Sequence, residues 1–132
     1  MAEIDRSEKI TINLGLVDLG QIDLLVDEGF YSNRTDFIRT AIRRQLESRA
    51  DSVKDTVQRR ALTLGTRHLS RRDLEQLRDA GQKVEVRVLG LVTIANDVSP
   101  DLALATITSV EVLGAFRAPR AVKAALAGRT IS

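Results

Sequence analysis

The sequence predicts an α+β protein in three parts. A strand and two helices occupy residues 1–50, a helical segment follows over 51–82, and a small β-rich module with two repeated β units occupies 83–132. Apolar residues alternate with polar ones over residues 9–14, recur every three or four residues in the stretch that follows, and alternate again after Gly81. A period of two indicates a strand and a period near 3.6 indicates a helix, so the changes of period mark the parts.

The composition excludes several classes of function. The 132-residue chain has no cysteine and one histidine, His68, so it forms no disulfide and no thiolate metal site, and one imidazole does not make a zinc site. No pattern typical of a catalytic site occurs, and we expect neither an enzyme nor a cofactor. No apolar run reaches the roughly 18 residues of a membrane helix, and the polar N-terminus is unlike a signal peptide, which favours a cytoplasmic protein without membrane contact.

Residues 9–14 predict an amphipathic strand that needs a second chain. One face carries apolar side chains and the other polar ones: Ile10, Ile12 and Leu14 against Lys9, Thr11 and Asn13. One such strand with two short helices cannot bury its apolar face. Two chains could do so by pairing their strands into an antiparallel ribbon, which leaves six polar side chains in an outward row. A two-stranded ribbon fits the major groove of B-DNA, where Lys can reach guanine, Asn can pair with adenine and Thr can serve either.

Two helices follow this strand. The first is predicted from about Asp18 to Glu28 and stops at Gly29. The second begins near Ser32 or Asn33, and Asn33 with Asp36 three residues later approximates a capping box. The free backbone N–H groups at its start suit a phosphate, and Arg34 adds a positive charge there. Its apolar stripe is Phe37, Ile38, Ala41, Ile42 and Leu46, and the helix is either extended or followed by a third, since no Gly or Pro occurs between Asn33 and Leu64. Ser70-Arg-Arg-Asp73 predicts a further helix start, and that helix is expected to end at Gly81.

The last part of the chain contains a repeat. Val86–Gly90 recurs 24 residues later as Val110–Gly114, which indicates two equivalent β units. The first strand is expected to continue past Gly90 to Ile94, and the second to occupy residues 107–118. Short helices are expected at 101–105, after Pro100, and at 119–127. Exposed edges and little apolar cover predict that residues 83–132 associate with copies of themselves.

The stretch 9–47 resembles the ribbon-helix-helix family of Arc-, MetJ- and CopG-type regulators. Its alternating strand, its Gly-Phe-Tyr-Ser-Asn-Arg-Thr turn and its Phe-Ile-Arg-x-Ala-Ile-Arg helix carry the resemblance. The resemblance implies a dimeric, nucleoid-associated repressor that inserts its ribbon into the major groove of double-stranded DNA. It assigns base contacts to Lys9, Thr11 and Asn13, and phosphate contacts to Ser32, Asn33, Arg34 and Thr35. Residues 1–50 are then the DNA-binding domain, 51–82 a connector, and 83–132 an oligomerisation or regulatory module.

Charge and context keep other interpretations open. Residues 1–50 carry seven basic and nine acidic side chains, so DNA binding would depend on a few placed cations rather than on bulk charge. One alternative is the antitoxin of a toxin–antitoxin pair, although the long, patterned C-terminal part is unlike the short polar tail of such proteins. Another is a self-assembling structural protein, since the Val-x-Val-x-Gly rhythm is similar to bactofilin-type β-repeats. Nickel sensing, found in some members of the family, is excluded because its ligands are missing.

Overall fold

A computed structural model of the chain describes residues 6–131. This part of the chain forms two compact units, Ser7–Thr56 and the residues from Val57 onward. The first unit is helical and the second is built on a parallel sheet. The boundary between them falls within a helix.

The first unit contains the two predicted helices. Helix α1 spans Leu16–Asp27 and α2 spans Arg34–Ser48. Helix α2 ends at Ser48, with Arg49 as its C-cap, and α3 then spans Ala50–Arg59. A third helix thus follows the second rather than extending it. The ring of Tyr31 meets that of Phe37 edge to face, with centroids 5.0 Å apart, which anchors the α1–α2 turn on the first turns of α2.

The strand predicted over residues 9–14 does not form in the single chain. Residues 6–15 adopt neither helix nor strand. A strand is stabilised by hydrogen bonds to a neighbouring strand, and the neighbour that the prediction requires belongs to a second copy. The prediction for this segment is therefore wrong for one chain alone, and the ribbon stays a prediction for the pair.

The middle segment differs from its prediction in one element. Residues 51–82 include the expected helical parts, but Thr63–Leu69 form strand β1 between them. Leu64 continues the apolar spacing of the preceding helix, and that spacing suggested helix through this point. The helix ends before it, where Ala61 has a φ of 51°. Pairing with a neighbouring strand then decides the conformation, because tertiary context outweighs local spacing in short segments.

Four parallel strands and the helices between them form the second unit. The elements after β1 are α4 (Arg71–Asp79), β2 (Val84–Ile94), α5 (Pro100–Thr106), β3 (Ile107–Arg117), α6 (Arg120–Leu126), a 3₁₀ turn (Ala127–Arg129) and β4 (Thr130–Ile131). The sheet order is β1-β2-β3-β4, so each strand lies beside the next one in the chain. Helix α4 begins as expected, with Ser70 and Asp73 in a reciprocal capping box.

The two copies of the repeat lie side by side on β2 and β3. Val86 pairs with Val110 and Gly90 with Gly114, so the 24-residue spacing brings equivalent residues into register. Strand β1 joins the same arrangement, because Gly65 pairs with Gly90. The three glycines form a row across the sheet and all have positive φ.

The helices cover the sheet more fully than the sequence suggested. Leu74 of α4 and Val122 and Leu126 of α6 are fully buried, and α5 contributes Leu102 and Ala103 to the same core. The core side chains of the strands include Val86 and Val110. The expectation that this module lacks apolar cover is therefore wrong, because α4, which falls outside residues 83–132, supplies part of it. Self-association of the second unit would then depend on the edges of its sheet.

Candidate nucleic-acid interface

Both faces of the 9–14 segment are exposed in the single chain. The three polar side chains Lys9, Thr11 and Asn13 are exposed, as the base-reading prediction requires. The apolar side chains on the alternate positions are exposed as well, with Ile10 at 73% and Ile12 at 60%. The segment therefore has an apolar side without a core to pack on.

The helices of this unit show the same incomplete core. Ile22 is the buried residue of α1, and within α2 no residue is buried. The predicted stripe of α2 is uncovered toward its C-terminal end, where Ile42 is 47% and Leu46 59% exposed. Leu24 and Phe30 are exposed too. The helices and the 9–14 segment together expose apolar side chains that a complete hydrophobic core would bury.

Two hydrogen bonds around Asn33 cap the start of α2. The Asn33 side chain accepts a hydrogen bond from the Asp36 amide at 2.8 Å. The Asp36 carboxylate in turn accepts one from the Ser32 amide at 2.9 Å, one residue earlier than in a regular capping box. The amides of Arg34 and Thr35, at the first two helical positions, have no acceptor in the part of the chain that is described. They are available to an anion.

Arg34 does not stand free at this helix end. Its Nε and Nη2 atoms each donate a hydrogen bond of 2.8 Å to the carboxylate of Asp23 in α1. This bidentate pair lowers the pKa of Asp23 and raises that of Arg34, chiefly through the hydrogen bonds themselves. Asp23 was not among the residues predicted from the sequence, because an 11-residue separation across a turn does not mark Asp23 and Arg34 as partners. A guanidinium has five N–H groups, so three remain for another acceptor.

Other candidate groups lie outside this cluster. Arg39, Arg43 and Arg44 are exposed on α2, in accord with a solvated face. His68 Nδ1 lies 2.6 Å from Thr93 Oγ1 on the neighbouring strand, which gives it a structural partner. Among residues 6–131, no group of His, Asp and Glu is arranged to hold a metal ion, and no helix is long and apolar enough to cross a membrane.

Comparison with known families decides the identity of the chain. The model of the Ribbon-Helix-Helix transcriptional regulator family matches residues 5–123. The chain belongs to this family. The ribbon-helix-helix match extends well past residues 9–47, to which the sequence resemblance was confined, and takes in most of the parallel sheet. Searches of curated proteins and of solved structures gave no match.

Membership gives the broad function. Proteins of the ribbon-helix-helix transcriptional regulator family bind DNA and dimerise, and they are typically not enzymes. Within residues 7–56, several large apolar side chains are exposed in the single chain, Ile10, Ile12, Leu24 and Phe30 among them.

Proposed function

We propose that the protein is a sequence-specific repressor that reads DNA as a homodimer. Residues 9–14 of two copies pair as an antiparallel ribbon that enters the major groove. The outward row of Lys9, Thr11 and Asn13 from both copies contacts base edges. Residues 1–50 form the DNA-binding domain, 51–82 the connector and 83–132 a module for oligomerisation or regulation.

The uncovered apolar surface of the N-terminal unit is the observation that carries this proposal. Ile10, Ile12 and Leu14 lie on one side of the segment and are all exposed in the single chain. Full burial of one such side chain stabilises by about 1.5–3 kcal/mol. Pairing two copies covers three of these side chains from each, together with the exposed part of the α2 stripe. The alternation of the segment then directs its polar side chains outward.

The start of α2 supplies the proposed phosphate contacts. Ser32, Asn33, Arg34 and Thr35 surround the helix end, where the positive end of the helix dipole favours an anion. Asn33 acts by holding the helix start in place through its bond to the Asp36 amide. The unpaired amides of Arg34 and Thr35 then point to the phosphate oxygens. Arg34 contributes the N–H groups that Asp23 leaves free.

Higher assembly is proposed for the second unit. Dimers held together through residues 83–132 would bind tandem operators with higher affinity, because the second site is engaged at a high effective concentration. The full-length chain should then form particles larger than two chains. A plain dimer, with and without DNA, would contradict this part of the proposal and leave DNA binding unaffected.

Selection of bound fragments from random duplex DNA tests the function directly. The full chain should enrich a short inverted or direct repeat. The variant Thr11→Asp, which keeps the apolar side of the segment, should dimerise but enrich nothing, because its carboxylate faces the negatively charged DNA. A wild-type protein that enriches no motif would overturn the proposal and favour the self-assembling structural protein.

A further inference from the structure

Strand β1 leaves one edge of the parallel sheet open. It pairs with β2 on one side and is the first strand in the sheet order. Residues 63–66 are exposed, and Leu64 is exposed to 69%. An open edge of this kind presents unpaired backbone groups that can pair with another strand. The charged residues that often protect such an edge are absent from Thr63–Thr66.

The glycine row identifies a contact that β1 lacks. A Cβ built on Gly90 would lie 2.1 Å from the carbonyl oxygen of Gly65, and one built on Gly114 would lie 2.1 Å from that of Gly90. Gly90 and Gly114 thus each let the carbonyl group of the preceding strand approach closely. Gly65 has the same type of backbone, with a φ of 130°, yet nothing lies within 4 Å of its Cβ position. Gly65, the first member of the row, has the conformation that receives a carbonyl, but no strand among residues 6–131 supplies one.

A second copy of β1 is the occupant that best fits this edge. At the opposite end of the sheet, the two described residues of β4 pair with Val110 and Glu111, so β3 has no described neighbour on that side beyond them, at Gly114. Head-to-tail pairing of β1 with this part of β3 would repeat from copy to copy and give a ring or a filament, whereas most soluble oligomers are closed about a two-fold axis. Two seven-residue β1 strands can instead pair antiparallel about a two-fold axis, with the same surface contributed by both chains.

We propose that two copies of this chain pair through the open edges of their β1 strands, Thr63–Thr66, to form one continuous sheet. The inference rests on the self-association proposed above for the second unit, and it places the contact on β1, which precedes residues 83–132 in the chain. Leu64 lies in register with Leu89, and Leu89 with Leu113, so a leucine row runs across β1, β2 and β3. Pairing about a two-fold axis joins the leucine rows of two copies and covers Leu64, the most exposed member.

Single cysteines test this pairing in the full-length protein. The chain contains no cysteine, so Thr63→Cys, Leu64→Cys and Thr66→Cys each introduce one thiol. In an antiparallel pair on a two-fold axis, a residue near the axis lies opposite its own copy. A disulfide needs Cα atoms about 4.4–6.8 Å apart, so at least one variant should cross-link nearly completely under mild oxidation. Ala124→Cys, on the exposed side of α6, is the control and should stay at background.

Lysine substitutions distinguish association through the β1 edge from association through the leucine row. Leu64→Lys places two like charges near the axis and should lower the solution mass to that of two chains. Leu113→Lys alters the same row on β3, two strands away from the β1 edge, and should leave the mass unchanged; head-to-tail pairing of β1 with β3 would instead make it lower the mass. Background cross-linking at all three edge positions in folded protein, or equal loss of mass in both lysine variants, would overturn the proposal.

Binding to a single operator distinguishes this proposal from the proposed function. The edge variants should keep wild-type affinity for one site, since residues 9–14 and 32–35 are unchanged. Edge variants that fail to cross-link while the protein still selects a DNA motif would overturn the edge pairing alone. Efficient cross-linking in a protein that selects no motif would overturn the proposed function alone.

Discussion

Arg34 and Asp23 form a two-pronged ion pair that ties the start of α2 to α1. Both hydrogen bonds are 2.8 Å long, and the two side chains stay 57% and 48% exposed. The pair lies beside the helix end proposed to hold a phosphate. It therefore sets how much positive charge that helix end presents, because the Asp23 carboxylate offsets the guanidinium.

Replacing the carboxylate of this ion pair should strengthen DNA binding. Asp23→Asn removes the offsetting charge and leaves the Arg34 guanidinium to a phosphate. Affinity for operator and random DNA should rise together, and the dependence of binding on salt should steepen. Arg34→Ala should weaken both equally and reduce the salt slope by about 1 for each phosphate that is no longer neutralised. Titrations at several salt concentrations measure both effects, and a change confined to operator DNA would show that Arg34 reads bases.

Removing a base contact should reduce specificity without affecting the fold. Asn13 is exposed, so Asn13→Ala should leave the circular dichroism spectrum and the melting temperature unchanged. Operator binding should weaken by about 1–3 kcal/mol for the base pair that Asn13 reads in each half-site, while binding to random DNA stays constant. Thr11→Ala should behave alike. Unchanged discrimination by Asn13→Ala would mean that the segment meets DNA in another register.

The apolar side of the segment should control dimerisation. Ile12→Asp places a carboxylate in the shared core, where a charge without a partner is costly, so the dimer should dissociate and its helices lose structure. Thr11→Asp, one residue away on the other side, should keep the dimer. Light scattering and circular dichroism on both variants check this. A stable dimer of Ile12→Asp would place the dimer interface elsewhere.

Local patterns predicted the elements that depend on local interactions. The Asn33 cap, the Ser70–Asp73 capping box and the helix start at Pro100 are short-range features, and the structure has a helix start at each. Strand β1 was missed because Leu64 fits a helical spacing and its pairing partners lie 25 residues away on β2. Residues 9–14 form no strand in the single chain, and the ribbon predicted for them requires a second copy.

The candidate site was predictable to a similar extent. The exposed alternate residues Lys9, Thr11 and Asn13 and the turn before α2 could be found from spacing and a family resemblance. The partner of Arg34 could not, because the fold rather than the sequence order brings Asp23 to it. The glycine row likewise became visible only once three strands lay in register.

Acid should weaken the second unit through Glu111. This nearly buried carboxylate pairs with Arg60, which lies just after α3, and with Arg87 on β2, whose Nε lies 3.3 Å from it. The Arg60 hydrogen bond, followed by the charges of both arginines, lowers the Glu111 pKa below its ordinary 4.5. The stabilisation is therefore fully present above pH 4.5 and is lost as the pH falls through the lowered pKa.

The variant Glu111→Gln should lower the melting temperature at neutral pH and flatten its dependence on acid pH. Gln keeps the size of the side chain but cannot carry the charge that both arginines face. Glu85→Gln, on the exposed side of β2, is the matched control and should resemble wild type. Thermal melts from pH 7 to pH 3 compare the three proteins. A Glu111→Gln curve parallel to wild type would mean that other carboxylates account for the acid sensitivity.

The glycine row should show a graded response to alanine. Gly90→Ala combines a strained φ of 141° with a Cβ 2.1 Å from the Gly65 carbonyl oxygen, so the strands must move apart. Gly65→Ala has the strain without the contact, and a residue held in such a conformation costs about 1–3 kcal/mol. Gly128→Ala has open space and no positive φ, so it should be nearly neutral.

The melting temperature should therefore fall most for Gly90→Ala, less for Gly65→Ala and least for Gly128→Ala. Equal losses for Gly90→Ala and Gly65→Ala at low protein concentration would show that backbone strain alone matters and that the close carbonyl approach does not. The concentration dependence adds a second comparison. If β1 pairs with its copy, Gly65→Ala should lose more stability at high concentration, where its Cβ meets the partner strand, and its loss should then approach that of Gly90→Ala.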